Sequence, residues 1–490
     1  ANYTWSFAGY KNQAGIQVGG DAFNIVKEGT LTPYYFTLDT TPPTGTVKVN
    51  DNIWDKILEI ITFGLYSRDS AEITAAAQDV TSPVEIAYYK TSDPEALSEE
   101  DLKALDDGDG DDKAGFVPYS EAIHITDNEQ FVVYFRITDY AGNVTYLSSD
   151  GYMVDQEPSE ITITPAEANG FYDMEDNDGG QYGLYGADPE KDPAEDVVPV
   201  EIHVEDAEPY SGIRTVEYWV ECDGEKTQEA TLYSAEYVRE EGDGTDENGN
   251  HMNTNGGTLT VTDWDSETQT NTEPETIEGK HPIQSELAGS WDGTVEISKA
   301  QNNSCNVEVF VKTIDQAGNE NEESVKLDID VTDPTFDISF DNGNGYEYQE
   351  EDGSTSTYFD AGRTATIVIT ERSHHFNAQE ATESIHITAE DARGNDVSDA
   401  NADGIPDAYR ITDWTTEENE EDPDAATHTA TVEFLADANY TWSVDYADEA
   451  GNRTNTEDPD DLKNKVTTRV ENGTCIAPFA FTIDTTDPTG

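Results

Sequence analysis

An acidic stretch near residue 400 has the residue types and spacing of a calcium loop. Side-chain oxygens alternate along it around one glycine, and the candidate ligands are Asp399, Asn401, Asp403 and Asp407. Ca²⁺ takes roughly six to eight oxygen ligands at close range, and a glycine permits the sharp turn that gathers them. The stretch lacks the glutamate that closes an EF-hand loop. A solvated, Asx-rich turn is therefore the alternative interpretation.

A second acidic stretch could hold the same ion. Asp107, Asp109 and Asp111 are separated by single glycines, so three carboxylates lie close together along the chain. Hard cations such as Ca²⁺ prefer oxygen ligands of this kind. The alternative is again a loop whose charges are solvated.

The phrase Asp-x-Ala-Gly-Asn occurs three times and sets the frame for these stretches. Its copies begin at Asp139, Asp315 and Asp448, and mostly apolar residues stand two, four, six and eight positions before each aspartate. This alternation is typical of a strand with one face on a core. Gly and Asn tolerate positive φ, so Ala-Gly-Asn favours a tight turn. The phrase predicts a hairpin between the last two strands of a β-domain.

A partner phrase closes each unit with an aspartate, threonine and a proline. It begins at Asp39, Asp330 and Asp484. Proline cannot continue a strand ladder, so the phrase predicts the exit from a domain. These acids, with Asp333 and Asp487, could join the hairpin aspartate of the same unit and hold a cation at a domain junction. A capping or turn role is the alternative.

The recurring phrases predict an all-β fold of tandem immunoglobulin-like β-sandwich domains in a string. The first six residues match 438–443 letter for letter, so we expect the chain to open inside a domain of a longer repeat protein. A short helix capped by Ser98 is expected as an insertion in the first complete domain. The predicted domains are a truncated one over 1–43, a complete one over 44–157, one with long acidic loops over 158–333, and one over 334–490.

The charge of the chain restricts its partners. Its 490 residues carry a formal net charge of −80 at pH 7. Nucleic acid and anionic lipid would be repelled, whereas cation binding, a high-salt habitat or simple solubility is favoured. No apolar run is long enough to cross a bilayer, so no membrane insertion is expected in this chain.

The cysteines and histidines give little sign of catalysis. Cys222 and Cys305 flank predicted strands, and both an inter-sheet bridge and free thiols are consistent with that placement. His374 and His375 are adjacent, and strand neighbours point to opposite faces, so we interpret them as surface or loop residues rather than a metal pair. The chain has no Gly-x-Ser-x-Gly elbow, His-Glu-x-x-His helix or phosphate loop, so no enzyme is predicted.

Two groups of motifs resemble a known family. The run 131–148, together with 100–103, resembles the tandem immunoglobulin-like repeats of large Gram-positive bacterial surface proteins. The segment 371–377, together with 440–442 and 448–452, looks like a second subtype from the same proteins. The resemblance implies a place at the bacterial cell surface or cell wall, with neighbouring repeats as partners. Such repeats serve as stalks, adhesive modules or spacers.

The leading functional hypothesis is a non-enzymatic, adhesin-like surface protein that binds a host protein or glycan. Aromatic residues in or near the long loops of the second complete domain are the candidate contacts, because exposed rings on a polar background often anchor partners. Filling of that domain's own core is the alternative. A host immunoglobulin-capturing module and a purely structural stalk or S-layer spacer are the competing functions. The candidate partner-binding residues are Tyr172, Tyr182, Tyr185 and Trp264.

Overall fold

The computed structural model of the chain consists mainly of β-strands, arranged around three hydrophobic cores. The sheets around each core are formed by one continuous stretch of the chain. The chain is therefore an all-β string of sandwiches, as its repeated phrases predict. None of the helices in the described residues is long and apolar enough to cross a membrane. The structure describes residues 22–27, 30–35, 39–106, 115–173, 181–239, 257–279, 283–341, 345–351, 353, 355–400, 404–419, 422, 425–468 and 479–487.

A two-stranded hairpin precedes the first core. It consists of β1 (Ala22–Lys27) and β2 (Thr30–Tyr35), which pair antiparallel. Residues 1–21 lie outside the described part of the chain. The truncated domain over residues 1–43 therefore stays a prediction.

The first sandwich packs a sheet of order β4-β3-β6-β9 against a sheet of order β5-β12-β10-β7-β8, with β11 paired to β10. Its elements are β3 (Thr44–Val49), β4 (Asn52–Trp54), β5 (Leu65–Ser67), β6 (Ala71–Gln78), β7 (Val84–Thr91), α1 (Glu99–Asp106), β8 (Val117–Pro118), β9 (Ile123–Ile125), β10 (Glu129–Asp139), β11 (Val144–Ser148) and β12 (Tyr152–Val154).

The segment that carries the inserted helix contacts β10 at Tyr134. Ser98 caps it as predicted, because the Ser98 hydroxyl oxygen accepts from the Asp101 N–H and the Asp101 carboxylate accepts from the Ser98 N–H. Leu102 of α1 is fully buried. The Leu97 N–H donates to the Tyr134 hydroxyl at 3.0 Å. Residues 131–135 of β10 are all buried, so both faces are covered there, whereas the alternating pattern predicts burial of one face.

The second sandwich combines a three-stranded sheet, β13-β16-β23, with an eight-stranded sheet, β14-β15-β25-β24-β17-β18-β19-β22, and β20 pairs only with β21. A 3-10 helix, Ile283–Glu286, precedes β23. Its strands are β13 (Glu160–Pro165), β14 (Gly170–Asp173), β15 (Gln181–Gly186), β16 (Val197–Glu205), β17 (Ile213–Cys222), β18 (Glu225–Arg239), β19 (Gly257–Thr262), β20 (Trp264–Asp265), β21 (Thr270–Asn271), β22 (Glu275–Gly279), β23 (Ser290–Ser298), β24 (Val307–Asp315) and β25 (Glu320–Asp330).

Part of the acidic sequence predicted as a loop in this sandwich is a strand. β15 pairs in parallel with β25 and antiparallel with β14, the edge strand of the larger sheet. Cys222 and Cys305 are both thiols, so the bridge between sheets is not formed.

The third sandwich packs a sheet of order β31-β33-β29-β26-β36 against one of order β27-β28-β37-β34-β30, with β32 paired to β33 and β35 paired to β34. Its elements are β26 (Thr335–Phe340), β27 (Tyr346–Gln349), β28 (Thr355–Phe359), β29 (Arg363–Glu371), a 3-10 helix (Ser373–His375), α2 (Ala378–Glu383), β30 (Ile385–Glu390), β31 (Tyr409–Ile411), β32 (Thr415–Glu417), β33 (Ala426–Phe434), β34 (Ala438–Ala447), β35 (Arg453–Asn455), α3 (Pro459–Asn464), β36 (Val466–Thr468) and β37 (Ala480–Ile483).

Two short helices of the third sandwich were not predicted from the sequence. Each has a local start signal: the Asn377 side chain accepts two backbone N–H bonds at the start of α2, and Asp458 accepts one at the start of α3. Both helices have only six residues. Elements this short are below the length at which hydrophobic periodicity is informative.

We predict that Leu102→Ala loosens the inserted segment of the first sandwich. Removing a fully buried leucine side chain costs about 2–5 kcal/mol, because a cavity is left beside β10. Hydrogen–deuterium exchange of the α1 amides should accelerate accordingly. Lys103→Ala, which changes an exposed side chain on the same helix, is the control. Equal exchange in both variants would show that the helix is not held by this contact.

Candidate cation sites at the domain joints

The hairpin phrase folds into the same turn in all three sandwiches. In each copy the aspartate carboxylate accepts from both the backbone N–H and the side-chain Nδ2 of the asparagine four residues later, at 2.7–3.0 Å. The intervening glycine has a φ between +91° and +94°. Residues with a Cβ rarely adopt this conformation, which explains the glycine. The pairs are Asp139 with Asn143, Asp315 with Asn319, and Asp448 with Asn452.

The same asparagine also holds the segment that enters its sandwich. Its Nδ2 group donates to a backbone carbonyl of the incoming linker: Asn143 to Asp39 at 3.3 Å, Asn319 to Asp155 at 2.9 Å, and Asn452 to Asp330 at 2.9 Å. We call these three contact regions the first, second and third joints. At each joint, a hydrogen bond from the asparagine side chain connects the linker to the hairpin turn.

The linker acids therefore meet hairpin aspartates, but not those of their own unit. Asp39 and Asp330 each lie against the hairpin of the following sandwich, so the sequence prediction was wrong on this point. The reason is topological: each linker runs directly into the first strand of the next sandwich, at the end where the hairpin turns. Asp333 instead pairs with Lys465 at 2.8 Å, and Asp484 and Asp487 are exposed.

Three carboxylates converge at the first joint. Oxygens of Asp39, Asp79 and Asp139 all lie within 4.8 Å of one another. Asp79 directly follows β6, and its Oδ1 accepts from the Thr81 and Ser82 N–H groups. Asp139 is buried, whereas Asp39 and Asp79 are half-buried. The linker, a strand end and a hairpin each supply one ligand.

The second joint has the same arrangement of three carboxylates, but they are more deeply buried. Oxygens of Asp155, Asp206 and Asp315 lie within 4.8 Å of one another, and all three residues are at most 3 % exposed. Asp206 directly follows β16, as Asp79 follows β6. Burial, and then repulsion by Asp155, raise the pKa of Asp206 to about 7. Burial raises the pKa of Asp315 to about 6. The protein alone therefore leaves these negative charges poorly compensated.

Basic side chains stand among the acids of the third joint. The residue that directly follows β29 is Arg372, where the other two sandwiches have an aspartate. Its guanidinium donates to the Asp328 carboxylate at 2.9 Å. His375 is fully buried, and its two ring nitrogens lie 2.5 Å from Asp330 and 2.9 Å from Asp328. His374 also lies 2.9 Å from Asp328. The interpretation of surface or loop residues was wrong on exposure for His375, whereas His374 is half-buried and both residues lie in the connection that follows β29.

That interpretation failed because the histidines were assumed to lie on a strand. They lie on the 3-10 helix that follows β29, where both rings turn toward the preceding sandwich. Burial alone would lower the pKa of His375, but hydrogen bonds to Asp328 and Asp330 raise it to about 9. Burial would raise the pKa of Asp328, but hydrogen bonds to His374 and His375 hold it well below its usual range. The raised pKa of His375 favours the charged imidazolium at neutral pH.

The first two joints have the ligand chemistry of a hard divalent cation. Their converging ligands are all carboxylate oxygens, which suit Ca²⁺ or Mg²⁺ better than softer metals. Asp328, His374 and His375 also bring ligand atoms within 4.8 Å of one another. That group differs because Arg372 already pairs with Asp328 and both His375 nitrogens face carboxylates. A metal at the third joint would have to displace this cation.

The calcium loops predicted from the sequence lie largely outside the described residues. Asn401 and Asp403 are outside them, as are Asp107, Asp109 and Asp111. At the described ends of the first loop, the Asp399 carboxylate accepts from the Gly404 N–H at 2.8 Å. The Asp407 N–H donates to the Ser398 carbonyl at 2.8 Å. Both loops stay predictions.

The aromatic residues proposed as partner contacts do not form an exposed set. Tyr182 and Tyr185 are 7 % and 5 % exposed, and the expectation that their rings are exposed was wrong. Their strand, β15, extends a sheet, and the Tyr185 hydroxyl donates to the Ala166 carbonyl. Trp264 is half-buried and donates to the Thr294 carbonyl at 3.0 Å. The side chain of Tyr172 lies outside the described set.

Comparison with known proteins gives fold-level matches of low similarity. No family model and no curated protein matches the chain. A 1.5-MDa bacterial ice-binding adhesin is 11 % identical, with a TM-score of 0.26, over 91 % of this chain and 99 % of that one. The major pilin subunit of Bacillus cereus is 9 % identical, with a TM-score of 0.19, over 79 % and 93 %. A Ca²⁺-stabilized adhesin of an Antarctic bacterium is 15 % identical, with a TM-score of 0.15, over 85 % and 98 %. Scores this low carry no functional argument.

We predict that Asn319→Ala opens the second joint. The variant loses the Nδ2 bonds to the Asp155 carbonyl and to the Asp315 carboxylate, at a cost of about 1–3 kcal/mol in local opening free energy. Amide exchange should accelerate in the linker around residues 155–159. Asn306→Ala, at an exposed position of the same sandwich, is the control. Unchanged exchange in the linker would show that the Asn319 side chain does not hold the linker on the hairpin.

Proposed function

We propose that the chain is a non-enzymatic segment of an extracellular, adhesin-like bacterial surface protein whose first two joints bind Ca²⁺. The observation that carries this proposal is the repeated acid triad. A linker, a strand end and a hairpin each contribute one aspartate at the first joint and again at the second. Three separate segments of chain would be fixed to one another by a single ion.

A cation at these joints would act by removing repulsion that the fold itself creates. Each triad gathers three carboxylates within 4.8 Å, and those of the second joint are almost fully buried. Unpaired buried charge is costly, and a bound divalent ion is the largest local charge in such a site. Asp155, Asp206 and Asp315 would hold the ion at the second joint, and Asp39, Asp79 and Asp139 at the first. The ion would stiffen the string by fixing each linker.

The composition supports a place outside the cell and an external partner. A net charge of −80 keeps an extended string soluble and discourages binding to nucleic acid. Large exposed aromatic side chains lie on β27 and β28, where Tyr346 and Tyr348 are 70 % and 51 % exposed. Tyr358 stands opposite Tyr346 in the ladder. A host protein or glycan is the partner that we propose for the full protein, with neighbouring repeats as its other contacts.

A shallow groove on the second sandwich illustrates why we propose no catalytic role. It is lined by His203, Ser266 and Asp292, and the His203 Nδ1 lies 2.7 Å from an Asp292 oxygen. The His203 and Asp292 side chains are 44 % and 78 % exposed. The Ser266 hydroxyl oxygen accepts from the Thr294 N–H at 3.0 Å. A solvent-exposed contact of this kind contributes little energy.

We predict that Ca²⁺ stabilises the second sandwich. An ion bound only by the folded state adds about 2.7 kcal/mol to its free energy of unfolding at about 100 times the Kd. The melting temperature should therefore rise with Ca²⁺ and fall with a chelator. The pKa values of Asp206 and Asp315 are raised to about 7 and about 6, so protons compete with the ion and the Ca²⁺ response should shrink between pH 7.5 and pH 5.5.

The variant Asp206→Asn tests whether the response comes from this triad. It removes one charged ligand, and we expect the Ca²⁺ response of the second sandwich to fall while its fold is kept. Asp292→Asn, which alters an exposed acid of the same sandwich, should respond to Ca²⁺ like the parent protein. An identical Ca²⁺ response in the parent protein and both variants would contradict the proposed site.

A further inference from the structure

The third joint contains positively charged side chains, whereas the other two joints contain three carboxylates each. Its hairpin aspartate is Asp448 and its linker aspartate is Asp330, which correspond to Asp315 and Asp155 at the second joint. The third position of the triad directly follows the second of two paired strands, which are β3 and β6, β13 and β16, or β26 and β29. In the third sandwich this position changes from aspartate to Arg372. The segment that follows it carries His375 into the joint. Positive side chains thus enter at the place where the other joints have a third carboxylate.

The geometry at His375 favours the doubly protonated ring. Nδ1 faces the Asp330 carboxylate at 2.5 Å and Nε2 faces the Asp328 carboxylate at 2.9 Å. An ionised carboxylate can only accept, so with both acids ionised each ring nitrogen carries a proton. The side chains of His375, Asp328 and Asp330 are 0 %, 1 % and 3 % exposed. Water therefore does not replace either bond.

The surrounding contacts hold this imidazolium in place from both sandwiches. The Arg372 guanidinium donates to the Asp328 carboxylate and to the Ile329 carbonyl, at 2.9 and 3.1 Å. The Glu449 N–H of the hairpin donates to the His375 carbonyl at 3.0 Å. The titratable and charged groups that act on His375 or lie beside it are Asp328, Asp330, Glu371, Arg372, His374, Tyr446 and Asp448.

We infer that the third joint is closed by a protein-borne cation, the His375 imidazolium beside the Arg372 guanidinium, which replaces a metal ion, so that this joint holds without metal and opens when the imidazole loses its proton. The comparison with Ca²⁺ at the other joints rests on the proposed function. The closure of the third joint does not, because its cation belongs to the chain.

The direction of the pH dependence follows from the raised pKa of His375. The pKa rises from 6.5 to about 9 on folding, so the stabilisation is complete below pH 6.5 and is lost as the pH rises through about 9. Burial raises the pKa of Glu371 to about 8 and that of Asp448 to about 6. Ionisation of these two acids also weakens the joint as the pH rises, so a His375 variant is needed to separate the contributions.

The test is amide exchange of the full chain with a chelator present, at pH 7 and pH 10, corrected for the intrinsic pH dependence of exchange. We expect residues 328–330 and 372–376 to stay protected at pH 7. At pH 10 their protection should fall by up to about 70-fold relative to pH 7, the factor that corresponds to a pKa raised from 6.5 to about 9. His375→Gln should lower protection already at pH 7 and show a smaller further loss at pH 10. His386→Gln, exposed in the same sandwich, is the control.

A second readout does not depend on any variant folding. ¹³C-labelled histidine in the full chain should show one imidazole that titrates near pH 9 in the presence of chelator. The inference is overturned if no histidine titrates above pH 8, or if protection at the third joint persists at pH 10. Loss of protection at pH 7 on adding chelator would also overturn it. If the first two joints do not bind Ca²⁺, the chelator will leave their protection unchanged. The result at the third joint will be the same in either case.

Discussion

Every joint of the structure is built around carboxylates that the fold brings together where a linker enters a sandwich. The hairpin aspartate is required at that place, because it accepts two bonds from the asparagine that closes the turn. The linker aspartate is brought there because the same asparagine holds its carbonyl. At the second joint three carboxylates then share a site from which water is largely excluded, and the pKa of Asp206 is raised to about 7. A positive charge at such a joint would relieve this repulsion.

The joints differ in the charge that the chain itself provides. The first two joints present converging oxygens that suit a hard cation, whereas the third carries Arg372 and His375. The backbones of the second and third sandwiches also meet closely: a Cβ added to Gly186 would lie 1.9 Å from the Ala450 carbonyl oxygen. The Ala187 N–H donates to the Asn452 side chain at 3.0 Å. The third joint is therefore a direct protein contact in addition to an electrostatic one.

Much of the fold could be predicted from the sequence, because strand alternation and turn chemistry are local. The residues at alternate positions before Asp139 and Asp448 are buried in β10 and β34, and Ser98 caps the inserted helix. The joints could not be predicted, because Asp39, Asp79 and Asp139 are up to a hundred residues apart and meet only after the sandwich has formed. Alignment of the strand ends would have given one signal: Arg372 stands where the other two sandwiches have an aspartate.

Anomalous diffraction from crystals of the full chain soaked in Tb³⁺, a luminescent and strongly scattering substitute for Ca²⁺, tests this account most directly. We expect one anomalous peak at each acid triad, among Asp39, Asp79 and Asp139 and among Asp155, Asp206 and Asp315. We expect no peak between Asp330 and Asp448, where His375 already carries the charge. Occupancy of the first two sites should fall when Ca²⁺ is added in excess. Absence of peaks at both acid triads, or a peak that displaces His375 from Asp330, would contradict it.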